Sequence, residues 1–140
     1  LELMLEDELK KIRKAMPDDR PWGWDKRYQT ALLVTRPAGA DEVRRLVGEL
    51  VDTSWNPGNL GGAPPEVKAL VDHLKDLRPS QYLYTKTIDN GLVVYTAFWP
   101  WVGASHVSVR VGVFHAEDSQ LEPASSIATL KAVFTTVSQK

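Results

Sequence analysis

The sequence contains no cysteine, no long apolar run and almost no net charge. Without cysteine, disulfides and thiolate metal sites are excluded, and this fits a reducing compartment, so we expect a cytoplasmic protein. No apolar run approaches the about 20 residues of a membrane-spanning helix. The net charge is −1, with acidic and basic residues intermixed. The chain therefore lacks the excess of clustered basic residues that is typical of nucleic-acid-binding proteins. We therefore expect neither nucleic acid nor a membrane as a partner.

Catalytic and cofactor motifs are missing as well. There is no Gly-x-Ser-x-Gly nucleophile motif. The histidines His73, His106 and His115 form no His-x-His or His-x-x-x-His pair of the kind that binds metals. The glycine-rich stretch 56–62 lacks the Gly-Lys-Ser/Thr of a phosphate-binding loop and follows a predicted helix, so an ordinary interhelical loop is favoured over an anion cradle. The sequence thus predicts no cofactor and no metal site, and it argues against an enzyme.

The stretch 81–115 predicts three consecutive antiparallel strands. Residues 81–89 and 92–99 are rich in β-branched and aromatic side chains, and Asn90-Gly91 between them is typical of a type I′ hairpin turn. A two-residue turn sets the pairing of the two strands. The predicted pairs, which would share one face of the sheet, are Ile88 with Val93, Lys86 with Tyr95, Tyr84 with Ala97, and Tyr82 with Trp99.

The third of these strands alternates strictly between apolar and polar residues. Such alternation predicts one face on a core and the other face toward water or a partner. If this strand lies at the edge of the sheet, its backbone could pair with another chain; a plain solvated face is the alternative. The apolar face consists of Val107, Val109, Val111 and Val113, and the polar face of His106, Ser108 and Arg110.

Four segments have the periodicity of amphipathic helices, namely 1–16, 41–53, 64–77 and 123–137. With a further strand over 28–36, the predicted order is α-β-α-α-β-β-β-α. Strands that cluster in the sequence favour an α+β fold. We predict two layers, a mostly antiparallel four-stranded sheet with the helices on one face.

The length of 140 residues is that of one domain. We expect 1–140 to form a single α+β domain, in which the helix over 1–16 is a candidate for a peripheral position. The chain begins at Leu1 rather than at methionine, so the sequence leaves open where the true N-terminus lies and whether a signal peptide was removed.

The candidate binding surface is aromatic. Trp22-Gly23-Trp24 and Trp99-Pro100-Trp101 each place two indoles on one face of an extended segment. Four indoles can form a stacking platform for a ligand. The alternative, which we favour because large aromatic side chains usually pack, is that they close one end of the core. With the polar face of the third strand, the candidate binding residues are Trp22, Trp24, Tyr82, Trp99, Trp101, His106 and Arg110.

These observations favour a non-enzymatic protein-interaction or assembly domain whose partner is another protein or a second copy of the chain. An adaptor, a toxin-neutralising protein and an assembly subunit all fit. The alternative is a small-molecule-binding or hydrolytic domain with a histidine as acid or base. Its aromatic-lined pocket would lie between Trp22, Trp24, Tyr82, Trp99 and Trp101.

Overall fold

The structure is a computed structural model, and it describes residues 2–16, 22–51, 53–89, 91–103, 105–116 and 122–135. Within these residues the chain forms four helices and six strands. In chain order they are α1 (Glu2–Ala15), β1 (Gly23–Asp25), β2 (Thr30–Thr35), α2 (Pro37–Leu50), β3 (Thr53–Trp55), α3 (Pro65–His73), β4 (Tyr82–Asp89), β5 (Leu92–Pro100), β6 (Val107–His115) and α4 (Pro123–Thr135).

The strands form one antiparallel sheet in the order β1-β2-β6-β5-β4-β3. The α+β class and the antiparallel sheet are confirmed, but the prediction of four strands is wrong. The two additional strands, β1 and β3, have three residues each, which is too short to show alternation in the sequence. They form the two edges of the sheet, and short edge strands limit unwanted pairing.

The third strand of the central stretch, β6, lies inside the sheet between β2 and β5. Residues 31–35 of β2, the strand predicted over 28–36, pair with residues 107–111 of β6 on the side away from β5. The hypothesis that β6 offers its backbone to another chain is therefore wrong, because both of its sides already carry neighbours.

A β-bulge shifts the pairing of β4 with β5. Asp89 lies opposite Leu92, as a two-residue turn requires, and Gly91 has a φ of 84°; Asn90 lies outside the described residues. The register then shifts between Thr87 and Asp89, so that Thr87 lies opposite Val93. The predicted register is wrong by one residue from this point on. Because side chains alternate along a strand, the predicted pairing of faces is wrong too.

The larger core lies between the sheet and the helices α1, α2 and α4. Val107, Val109 and Val111 are buried in it, and Val113 packs against it partly buried, so the predicted inward face of β6 is confirmed. Helix α1 is not peripheral, because its apolar stripe is buried in the same core. That stripe consists of Leu5, Leu9, Ile12 and Met16.

Helix α3 packs on the opposite face of the sheet, so the prediction of helices on one face only is wrong. Leu70 and Val71 of α3 form a second core with Leu83, Val93 and Tyr95 of the central strands. The physical reason is that β4 and β5 are apolar on both faces, and neither face can be left to water. The sheet is thus covered by three helices on one side and partly by one helix on the other.

Two helices differ in extent from the predicted ranges. Helix α2 begins at Pro37, which suits the first helical position because it has no amide hydrogen to leave unpaired, and ends at Leu50. Helix α3 ends at His73, where the prediction had 77. Lys75 and Asp76 follow with φ values of 63° and 81°, a left-handed conformation that ends a helix. In the described residues no helix is both long and apolar enough to cross a membrane.

Candidate functional site

Four of the seven predicted binding residues lie together, on the sheet face that carries α3. Trp99 of β5 is directly opposite Ser108 of β6, and Arg110 follows on the same face two residues further along. We call the six side chains that form this surface the aromatic strip. They are Tyr28, Trp99, Trp101, His106, Ser108 and Arg110.

The centre of the aromatic strip is Arg110. Its Nη2 donates to Asp25 Oδ2 over 2.7 Å and its Nε donates to the same oxygen over 3.3 Å. Its guanidinium carbon lies 4.7 Å from the centroid of the Trp99 ring and 5.4 Å from that of Tyr28. The two rings meet edge to face with centroids 5.8 Å apart. A cation placed against two aromatic rings and a carboxylate is strongly held.

Asp25 completes this arrangement at the end of β1. Its Oδ1 accepts the backbone amides of Arg27 over 2.8 Å and of Tyr28 over 3.3 Å. Burial alone would raise the pKa of Asp25, but the hydrogen bonds from Arg110 and the two amides outweigh it and lower the pKa. The carboxylate is therefore ionised and fully engaged. The ion pair positions the aromatic strip and leaves neither of the two charges free for a ligand.

The exposed end of the aromatic strip is the turn between β5 and β6. Trp101 is 47% exposed and Val102 is fully exposed. The indole is nevertheless fixed: Nε1 donates to Ser108 Oγ over 2.9 Å, and the ring packs on His106 with centroids 4.9 Å apart. The backbone amide of Trp101 donates to the carbonyl of His106 over 2.8 Å. We call Trp101 and Val102 the hairpin tip; it presents an apolar surface to solvent, in which the indole of Trp101 is held by these contacts.

The other three predicted residues lie on the opposite face of the sheet. Trp22 is buried in the larger core, edge to face with Phe134 at 4.9 Å between centroids. Trp24 and Tyr82 pack against that core. The guanidinium carbon of Arg44 lies 4.0 Å from the centroid of the Tyr82 ring. The sheet therefore separates the two Trp-x-Trp segments. They form neither one four-indole platform nor one common pocket.

A histidine hydrogen-bonded to a carboxylate would favour the alternative prediction of a histidine acid or base. In the described part of the chain, none of the three histidines is hydrogen-bonded to a carboxylate. His115 Nε2 lies 3.0 Å from Ser126 Oγ, which itself donates to the carbonyl of Pro123 over 2.9 Å. A hydroxyl has one proton, so when Ser126 donates it to Pro123, the tautomer of His115 with a proton on Nε2 donates to Ser126 Oγ. Both polar atoms of the pair then have a partner.

Burial lowers the pKa of His115 from its ordinary value of 6.5. Between the folded pKa and 6.5, the unfolded chain binds more protons than the folded chain, so the contribution to stability is complete above 6.5 and is lost as the pH falls. We expect the free energy of unfolding to decline on acidification in this window, and H115Q to flatten that decline. Urea titrations of the parent and of H115Q at a series of pH values measure this free energy of unfolding.

The control for this prediction is S126A. It removes the hydrogen-bond partner but leaves His115 buried, so the protein is destabilised at every pH while the slope below 6.5 persists. A slope that is unchanged in H115Q would show that another group is responsible.

The loop 56–62 uses its own side chains to satisfy its backbone. Asn56 Oδ1 accepts the amide of Gly58 over 2.8 Å, and Asn59 Oδ1 accepts the amide of Asn56 over 2.9 Å. The loop then closes into a single 3-10 turn at Leu60–Gly62. These amides are occupied, which agrees with an ordinary loop. In the described residues no cluster of three or more histidine, aspartate or glutamate side chains is arranged to bind a metal ion.

Asp25, Tyr28 and Ser108 belong to this site but were not among the predicted binding residues. Asp25 and Arg110 are 85 residues apart, so no local pattern links them. The only available signal was the position of Asp25 directly after the Trp22-Gly23-Trp24 segment. Comparison with models of protein families, with curated proteins and with solved structures finds no match for this chain.

Proposed function

We propose that this protein is a non-enzymatic interaction domain that binds a protein partner through the hairpin tip. The observation that carries the proposal is the pairing of exposure with rigidity at Trp101. An exposed indole that is held by a hydrogen bond and a ring contact loses little side-chain entropy on binding. Buried tryptophans are prominent among the residues that dominate binding energy in interfaces. The aromatic strip behind the tip supplies the rigid support.

The partner that this tip fits is concave and apolar. Trp101 Nε1 is already bonded to Ser108, so the indole brings no unsatisfied donor into an interface. Two projecting side chains placed tip to tip would bury far less than the about 1,200 Å² of a stable interface. A second copy therefore fits poorly at this point, while a pocket on a different protein can surround both residues. Adaptor, toxin-neutralising and assembly-subunit roles all use binding of this kind, and the cysteine-free sequence suits a cytoplasmic setting.

The test places a photoreactive benzoylphenylalanine at position 102 of the full chain and measures cross-linking in extracts of the native host. We expect a discrete adduct heavier than the chain. W101A should weaken this adduct at least tenfold, since truncation of a dominant interface residue costs about 2 kcal/mol or more. S108A, which frees the indole but keeps it, should have a smaller effect. The thermal midpoint of W101A should remain close to that of the parent, because the ring is 47% exposed.

The matched control carries the same probe at Leu3, which is 74% exposed on α1 and distant in sequence from the tip. A discrete adduct at position 102 that is insensitive to W101A, or adducts equal in strength at 3 and 102, would contradict the proposal. An adduct of twice the chain mass would show that the partner is a second copy of the chain and not a different protein.

A further inference from the structure

A cavity of about 300 Å³ lies between two loops at the beginning of β4. One loop follows β3 and contributes residues 56–58, and the other precedes β4 and contributes residues 79–81. Tyr82, the first residue of β4, also lines the cavity. None of these residues is charged. The volume is at the lower limit of known small-molecule sites. We call this space the Tyr82 cavity.

The polar side chains around the Tyr82 cavity offer unused hydrogen-bond donors. Gln81 Oε1 accepts the backbone amide of Arg78 over 2.8 Å, and Asn56 Oδ1 accepts that of Gly58 over 2.8 Å. Each of these two side chains therefore keeps its NH₂ group for another acceptor. The hydroxyls of Ser80 and Tyr82 form no hydrogen bond within the part of the chain that the structure describes. A ligand that fits this cavity needs acceptor oxygens.

Arg44 of α2 places a positive charge beside the cavity. Its guanidinium carbon lies 4.0 Å from the centroid of the ring of Tyr82, so one residue contacts the cation and lines the cavity. Arg44 is half-buried, and among the described residues no carboxylate forms an ion pair with it. A guanidinium has five N–H donors, and here they have no acceptor. The next residue, Arg45, is by contrast bound to Glu42 and Glu49.

A second arginine adjoins the cavity in the chain. Arg78 directly precedes the lining residue Pro79 and is exposed. Its guanidinium also forms no ion pair with any described residue. The carboxylate closest to it in sequence, that of Asp76, accepts the backbone amide of Leu77 over 2.8 Å. Two unpaired cations and a set of free donors complement a compact anion.

We propose that the Tyr82 cavity binds a small phosphomonoester. Such a group carries a charge of about −1.5 to −2 near neutral pH and three strong acceptor oxygens. Arg44, held against the Tyr82 ring, binds two of these oxygens through its planar fork of donors. Ser80 and Gln81 donate to the remaining oxygen. The volume equals that of roughly ten water molecules, so the organic part of the ligand has only a few carbon atoms.

This site is independent of the proposed binding of a protein partner. The Tyr82 cavity shares no residue with the hairpin tip or with the aromatic strip. W101A should therefore bind the phosphomonoester as the parent does, and the two proposals can fail separately.

Titration calorimetry of the full chain with glycerol phosphate tests the proposal. We expect saturable binding of one ligand per chain. The affinity should fall with added sodium chloride, because the cations are accessible to salt. It should also fall between about pH 7 and about pH 5, because the phosphate loses charge through its second pKa near 6.

Substitutions identify the groups that bind the ligand. R44Q should weaken binding at least tenfold, since it removes charged hydrogen bonds, and R78Q should weaken it by a smaller factor. R45Q is the matched control on the same helix and should bind as the parent does. S80G removes the hydroxyl but suits the φ of 72° at this position, so it should weaken binding without lowering the thermal midpoint.

Backbone amide resonances locate the ligand. We expect those of Gly58, Ser80 and Gln81 to shift on titration, while those of Trp101 and Val102 do not. No saturable binding, equal losses in R44Q and R45Q, or shifts confined to the hairpin tip would each overturn the proposal. Tighter binding of succinate would replace the phosphomonoester by a dicarboxylate. Tighter binding of a phosphoserine peptide would show that the ligand is a phosphorylated protein and not a small molecule.

Discussion

G112A should lower the free energy of unfolding by about 2 to 3 kcal/mol, the upper range for overpacking of a core. A Cβ at Gly112 would come within 2.7 Å of Tyr95 Cε2 and nearer still to the end of that ring. Tyr95 is 2% exposed and packed in the second core, so its ring cannot turn aside. Thermal and urea unfolding of the purified variant measure the loss.

Two variants distinguish this contact from a general effect of removing a glycine. G61A places a Cβ where nothing lies within 4 Å, and it should be neutral or slightly stabilising. In a Y95L background the ring and hydroxyl that clash are absent, so G112A should cost much less there. If the cost of G112A is the same in both backgrounds, Tyr95 is not the cause.

D25A should destabilise the protein by a similar amount, about 2 to 3 kcal/mol. Removing one partner of a buried ion pair typically costs about 3 to 5 kcal/mol, because the remaining charge is left without compensation. Here both side chains retain 14% exposure, and residual hydration of Arg110 moderates the loss. The variant should also loosen the aromatic strip, which hydrogen exchange at residues 106–110 would report.

The matched control is E42A, which breaks the ion pair of Glu42 with Arg45 on the surface of α2. The charged atoms of that pair are 2.8 Å apart, against 2.7 Å for Arg110 and Asp25, but the two side chains are 58% and 56% exposed. Such exposed pairs contribute about 0 to 1 kcal/mol. The double variant D25A/R110M removes both charges and should recover part of the stability. Equal losses in D25A and E42A would contradict a structural role for Asp25.

The pH dependence of the Asp25 contribution has a definite direction. The folded pKa is lowered, so the unfolded chain binds more protons in the acidic window. The contribution is therefore complete above the ordinary pKa of 3.8 and disappears as the pH falls through the folded pKa. On acidification the contribution of His115 begins to fall near 6.5, whereas that of Asp25 begins to fall only near 3.8.

The aromatic strip shows which of the predicted binding residues the fold places side by side. Trp99, Trp101, His106 and Arg110 were expected at a binding surface, and the structure brings these four together. Whether they bind a partner remains the proposal. Trp22 and Trp24 have the same W-x-W pattern but lie on the side of the larger core. Two identical local patterns therefore occupy opposite faces of the sheet.

Local periodicity determined much of the architecture. The alternation of valines in β6 and the helical spacing of Leu5, Leu9 and Ile12 each depend only on near neighbours in the chain, because the period of a strand or helix decides which side chains share a face. These features identified the central meander, the helical segments and the inward face of β6. The helix over 1–16 was only a candidate for a peripheral position, because spacing shows an apolar stripe but not what covers it; its stripe lies in the larger core.

Tertiary structure decided everything that depends on contacts between distant residues. The insertion of β6 beside β2, the ion pair of Asp25 with Arg110 and the helix on the second face all join segments whose mutual positions no local pattern encodes. The bulge near Thr87 shifts the pairing of β4 with β5 by one residue, so the residues of β5 that share a face with a given residue of β4 differ from those that the turn alone predicts. Sequence periodicity identified which residues would be buried. The packing of all segments around one sheet determined which residues they contact.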